Sequence, residues 1–169
     1  MAEPDDQFED FVRLRGPHLL RLAMLLTADA AAGEDLLQSV LEKLFGQWIK
    51  RPPDNPEAYA RAALVHAARR SWRRRLSHPE TPVADLPERA SGAGGDLALR
   101  DLLLVALRGL SARQRAVIAL RYFDGYSEVE VAAIVGSGVG AVKTHAHRGL
   151  RRLRDDPALA GYLGSMKEV

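Results

Sequence analysis

SEVEVAAIVGSGVGAVKTHAHRGLRRLR, Ser127 to Arg154, decides the fold. Ser127 with Glu130 three residues on is a capping-box signature, so a helix is expected to start there. Val129, Ala132, Ala133 and Val135 offer it a small apolar face. Gly136 stands where that helix must stop, a position that suits a left-handed residue. A second helix is expected from about Val139. Val142, Ala146, Leu150 and Leu153 fall at i, i+4, i+8 and i+11 and bury one side of it. Lys143, Thr144, His147, Arg148 and Arg151 are then left outside. Helix, glycine turn, helix with a basic outer face is the helix-turn-helix pattern, whose second helix enters the major groove. Ser137 to Arg154 holds five basic residues and no acid, while the whole chain nets only +2. So local an excess of positive charge points to a polyanion as the partner of that face.

The rest of the composition agrees with an all-α protein. Ala, Leu and Arg dominate and aromatics are 6% of the 169 residues, enough chain for one domain or two small ones. There is no cysteine, which excludes disulfides, thiolate metal sites and thiol chemistry. No apolar run approaches the roughly 20 residues of a spanning helix. The first ten residues, MAEPDDQFED, are acidic where a signal peptide would be basic, so a cytoplasmic location is expected.

Upstream of the quoted stretch the charge changes sign twice. Residues 1–50 carry nine acids against five bases. Phe8 to Leu26 has helical spacing with Pro17 inside it, which predicts a kink or a separated first turn. Asp29 is a candidate N-cap for a second helix reaching about Lys50. Leu37, Leu41, Leu44 and Trp48 line its inner side, and Glu34, Asp35, Gln38, Ser39 and Glu42 face out. Asn55 and Pro56 then supply the cap and first position of a third helix, to about Leu76. Between Arg51 and Arg75 seven arginines face two acids, with Trp72 among them. Arginines reach phosphates, and an aromatic among them can stack on an unpaired base.

Residues 77–96, with three prolines and three glycines, read as a flexible linker. The expected organisation is therefore two small helical domains, 1–76 and 97–155, joined by that linker and followed by a tail, 156–169. The second domain should hold a helix over Leu97–Gly109 and another, capped by Ser111 with Gln114, to about Tyr122. No catalytic constellation emerges. Glu34 and Asp35 are adjacent on a helix and point apart. His145 and His147 are two apart and fall on different faces, where a metal pair prefers i, i+4. GSGVG, Gly136 to Gly140, follows a helix and lacks the Lys-Ser/Thr of a phosphate loop. Neither an enzyme nor a bound cofactor or metal is expected.

Three stretches, in order around the linker, carry a family resemblance. GEDLLQSVLEKLF (Gly33–Phe45), NPEAYARAALVHAARRSWRRR (Asn55–Arg75) and LSARQRAVIALRYFDGYSEVEVAAIVGSGVGAVKTHAHRGLRRLR (Leu110–Arg154) resemble regions two and four of the extracytoplasmic-function (ECF) sigma factors. These are sigma-70-family subunits of bacterial RNA polymerase, and the SWRRR end is similar to the SigE-like actinobacterial subgroup.

The resemblance implies roles. Asp35, Gln38, Ser39 and Glu42 would dock on the β′ clamp helices of core polymerase. Asn55, His66 (where relatives often carry Asn), Arg69, Arg70, Trp72, Arg73 and Arg74 would hold and melt the minus-ten element of promoter DNA. Lys143, Thr144, His145, His147, Arg148 and Arg151 would read the minus-thirty-five element, with region four seated on the β flap. An anti-sigma factor is an implied partner. A stand-alone helix-turn-helix regulator is the alternative, disfavoured by the acidic outer face of the second helix. An anti-sigma or adaptor protein is disfavoured by the basic recognition helix.

Overall fold

The structure, a computed structural model, describes residues 4–77 and 95–161. Among these residues it is helical with no strand. The order is α1 (Pro4–Thr27), α2 (Ala30–Trp48), α3 (Pro56–Ser77), α4 (Gly95–Arg108), α5 (Ala112–Ile118), a π-helical turn (Ala119–Phe123), α6 (Glu128–Val135) and α7 (Val139–Arg154). The edges of the expected linker are helical: Ser77 closes α3, and Gly95 and Asp96 open α4. Residues 78–94 of it lie outside the described residues.

The caps fall where the sequence puts them. Asp29 accepts from the Ala32 amide at 2.8 Å and Asn55 from Ala58 at 3.0 Å. Ser111–Gln114 and Ser127–Glu130 both form complete capping boxes. Each such cap contributes about 1 kcal/mol. Helix α1 runs through Pro17, which is exposed, so the carbonyl it deprives of a donor lies at the solvated side. The expected break at Pro17 is absent.

Helices α1, α2 and α3 pack as a bundle around Leu19, Leu22, Leu44 and Leu64, all fully buried. Phe8 and Phe11 clamp Trp48 with ring centroids 5.3 and 5.5 Å away, fastening the start of α1 to the end of α2. Gly33 sits at the α1–α2 crossing, where a Cβ would come within 2.8 Å of the Met24 backbone. The second unit, α4 to α7, is built on Val117, Leu120, Val131 and Val142.

The two units lie against each other. Ala116, Val117 and Leu120 join the same core cluster as Leu19, Leu22 and Leu64. Leu104, Leu107 and Leu110 close over Met24 and Ala28 at the turn after α1.

Two local expectations change. The fifth helix does not stay α-helical to Tyr122: after Ile118 it widens into the π-helical turn, with the Asp124 amide bonded to the Ala119 carbonyl at 3.0 Å. Val129 and Ala133 are exposed, and α6 is buried through Val131, Ala132 and Val135. Val129 and Ala133 form one i, i+4 pair and Val131 and Val135 another. Two residues of offset place these pairs about 200° apart on the helix, so only one pair can face α7. Past Arg154, Asp156 caps a further helical turn with bonds of 3.0 Å to the Ala158 and Leu159 amides. Pro157 thus starts this turn as well as following α7, and Leu159 is buried.

Candidate nucleic-acid interface

Gly136, at φ +66°, ends α6 in the left-handed conformation and turns the chain into α7. Val142 and Ala146 seat α7 on the second unit, with Leu150 and Leu153 half-buried. Gly149 packs closely there: a Cβ would press on the end of the Ile118 side chain, which would have to shift. With that side fixed, Lys143, Thr144, His147, Arg148 and Arg151 are all exposed on the other. Lys143 Nζ stands 3.7 Å from Glu128 Oε2, and Arg151 Nε 3.9 Å from Asp155 Oδ2. Both pairs are solvent-exposed and therefore weak, so a phosphate or a base edge can displace them. The Thr144 hydroxyl donates to the Gly140 carbonyl at 3.0 Å.

His145 departs from this set. It is half-buried and lies with Arg69, Arg113, Val135 and Ser137 at the seam between the two units. Burial, then the charges of Arg113 and Arg148, hold its pKa below the ordinary 6.5. Its Nδ1 and the Ser137 Oγ are buried without a partner among the described residues.

On α3, His66, Arg70, Arg73 and Arg74 are exposed, and Asn55 is exposed while capping the helix. Arg69 is different. It is half-buried and its guanidinium donates to the Val135 carbonyl of α6. Burial, then Arg113 and Arg73, lower its pKa. Trp72 lies on α3, but its side chain is outside the described residues. On α2, Asp35, Gln38, Ser39 and Glu42 all face solvent, opposite the buried Leu37, Val40 and Leu44. Gln38 Nε2 donates to Glu42 Oε1 at 3.3 Å. The three predicted sets thus occupy three separate faces, and the seam draws Arg69 and His145 together.

The seam itself holds residues that sequence reasoning missed. Arg115 is 5% exposed. Its Nε donates to the Leu26 carbonyl at 3.0 Å, and Nη1 to the carbonyls of Leu110 at 2.7 Å and Leu107 at 3.3 Å. It therefore caps the C-terminal ends of α1 and α4 at once, where helical donors run out; the Leu107 carbonyl also accepts from the Leu110 amide at 3.1 Å. Asp124 has a fully buried side chain, with Oδ1 2.6 Å from His18 Nε2 and Oδ2 3.3 Å from Arg61 Nε. His18 stacks on Phe123, ring centroids 4.7 Å apart, and Arg61 also donates to the Tyr126 hydroxyl at 3.2 Å. One sequence signal pointed here: Arg115 shares its helix face with Ile118 and Ala119, so a cation stands inside an apolar stripe.

Among the described residues no group of three or more His, Cys, Asp or Glu is arranged to hold a metal ion. No described helix is long and apolar enough to cross a membrane.

Comparison with known proteins identifies the scaffold. Residues 100–153 match the family model described as Sigma-70, region 4. Over 155 residues, 89% of this chain and 85% of the relative, the sequence is 37% identical to the RNA polymerase sigma-E factor of Streptomyces coelicolor. The chain belongs to the ECF RNA polymerase sigma factors. It is also 36% identical to the ECF sigma factor SigL of Mycobacterium tuberculosis over 150 residues, 80% of each chain. Among solved structures it resembles the sigma factor RpoE of Bartonella quintana, crystallised with the anti-sigma factor NepR. That likeness has a TM-score of 0.63 and 27% identity, covering 88% of this chain and 95% of the other. Within this sigma factor, α7 is the second helix of the region-four helix-turn-helix, and the exposed row from Lys143 to Arg151 lies inside the matched span.

Proposed function

We infer that this chain binds core RNA polymerase, directs it to specific promoters and helps open the DNA to start transcription. The observation that carries this is the separation of faces: a basic recognition helix in region four, and a polar, acid-bearing α2 face on the opposite unit. A DNA reader acting alone has no use for the second.

Residue roles follow from chemistry. Lys143 and His147 are one turn apart and project together, Lys143 suited to guanine edges and Thr144 to several bases. Arg148 and Arg151, farther along α7, suit phosphates. His66, Arg70, Arg73 and Arg74 line the exposed side of α3 and suit the backbone of an opened strand, with Trp72 as the stacking residue. Asp35, Gln38, Ser39 and Glu42 form the contact with the β′ clamp helices, and region four meets the β flap. We assign residues 1–76 to core and minus-ten binding and 97–155 to minus-thirty-five binding. An anti-sigma factor is the regulatory partner, the class of protein found on the Bartonella relative. The work is binding rather than catalysis, in the cytoplasm, where polymerase and promoter are. Run-off transcription tests the reading. Core polymerase plus this chain should yield a transcript of defined start from a cognate promoter; a chain that binds DNA but never supports initiation would contradict it.

A further inference from the structure

We propose that a small cavity between α3, α5 and α7 is a binding site for a monatomic anion, chloride, held by Arg69, Arg113, Ser137 and His145.

The cavity has a volume of about 10 Å³, room for about one water-sized particle. Arg69 reaches it from α3, Arg113 from α5 and His145 from α7, while Ser137 lies in the turn just after Gly136. Val117 and Val135 supply an apolar wall.

The charge around it is of one sign. No carboxylate lines the cavity, and among the described residues Arg69, Arg113 and Arg148 make no ion pair. After burial, other cations act most strongly on the groups there: Arg113 and Arg73 on Arg69, Arg113 and Arg148 on His145. A negative charge at their centre offsets that repulsion, and the apolar wall strengthens the attraction by lowering the local dielectric.

The polar atoms require the same occupant. Ser137 Oγ and His145 Nδ1 are buried without a partner among the described residues, and a buried polar atom left unpaired is costly. An anion accepts from the Ser137 hydroxyl, from His145 with its proton on Nδ1, and from the guanidinium groups. A water molecule satisfies this set less well, because it must also donate. The Val135 carbonyl already accepts from Arg69. Phosphate and sulfate, with five heavy atoms each, do not fit a space for one, and neither does the DNA backbone. The site is therefore separate from promoter reading, and it makes the stability of the chain depend on which anion is present.

The test keeps ionic strength fixed. The full chain is melted, followed by circular dichroism, in potassium salts where chloride progressively replaces gluconate, an anion too large for the cavity. Tm should rise along a saturating curve, by about 3–6 °C once chloride reaches about ten times its dissociation constant. Bulk salt effects on the surface shift Tm without saturating. Arg113→Gln should move the midpoint of the curve to at least about tenfold more chloride. Ser137→Ala, which loses one neutral donor, should move it about threefold. Because the midpoint in chloride is read, a variant of altered stability still reports on the site. Lys50→Gln, an exposed cation outside the lining, should keep the wild-type midpoint. Chloride NMR line broadening should be present in wild type and reduced in Arg113→Gln. A Tm indifferent to the exchange, a response that never saturates, or a midpoint unmoved by Arg113→Gln overturns the proposal. No polymerase or DNA is present, so such a result leaves the sigma-factor reading standing.

Discussion

Arg115→Met is the substitution whose cost follows most directly from the structure. Methionine keeps the length and apolar stem of the side chain but removes every donor. The carbonyls of Leu26, Leu107 and Leu110 then lose the guanidinium that serves them at 3.0, 3.3 and 2.7 Å. A buried acceptor left without a donor costs about 1–3 kcal/mol. The Leu107 carbonyl keeps the Leu110 amide at 3.1 Å, so two acceptors set an upper range above the net effect, and relief from burying a charge offsets part of the loss. A net destabilisation of about 2–4 kcal/mol is expected. For a chain of this size each kcal/mol moves the midpoint by about 2–4 °C, so Tm should fall by about 5–15 °C. Circular dichroism melts and urea titration measure it, the latter also revealing through its slope whether the two units still unfold together. A loss below about 0.5 kcal/mol, the usual size of a surface change, would refute the account of Arg115 as a cap shared by α1 and α4.

Asp35→Ala with Gln38→Ala should leave Tm and helicity almost unchanged, since both residues are exposed, while affinity for core polymerase in a competition titration falls at least about tenfold. Lys143→Ala should relax base preference at one or two adjacent positions of the upstream element, a loss of about 1–3 kcal/mol of discrimination, whereas Arg151→Ala should weaken all sequences about equally; selection on randomised promoters separates the two. The folded chain holds His145 below its ordinary pKa of 6.5, so the unfolded chain takes up this proton first as pH falls. Stability is therefore full above about pH 6.5 and declines below it, and His145→Gln should flatten that decline in melts between about pH 7.5 and 5.5.

The caps, the glycine turn and the outer row of α7 were legible because each is local. Ser127, Gly136 and the i, i+4 spacing of Val142 and Ala146 act within one or two turns of the chain. The acidic outer face of α2 was legible for the same reason. What escaped depends on partners far apart in sequence. Asp124 looks like a turn residue in FDGY until His18, 106 positions away, is placed against it. The π-helical turn has no signal of its own, since Ala119 to Phe123 would suit an α-helix equally well. His145 sits two residues after Lys143 on an exposed-looking helix, yet it is half-buried beside Arg69 and Arg113, which come from elements far away in the chain. On α6, Ala132 and Val135 are buried as expected, but Val129 and Val131 are equally hydrophobic, and only the packing of α6 on the other helices decides between them.

The central claim is that promoter recognition by this chain runs through polymerase. Footprinting on one cognate promoter, with and without core enzyme, measures that directly. The chain alone should protect neither element at physiological salt, because each basic face supplies few phosphate contacts. With core added, protection should appear at the minus-ten and minus-thirty-five elements together, with unpaired bases reactive to permanganate near the start site. Equal, sequence-specific protection by the free chain, unchanged when core is added, would contradict the account.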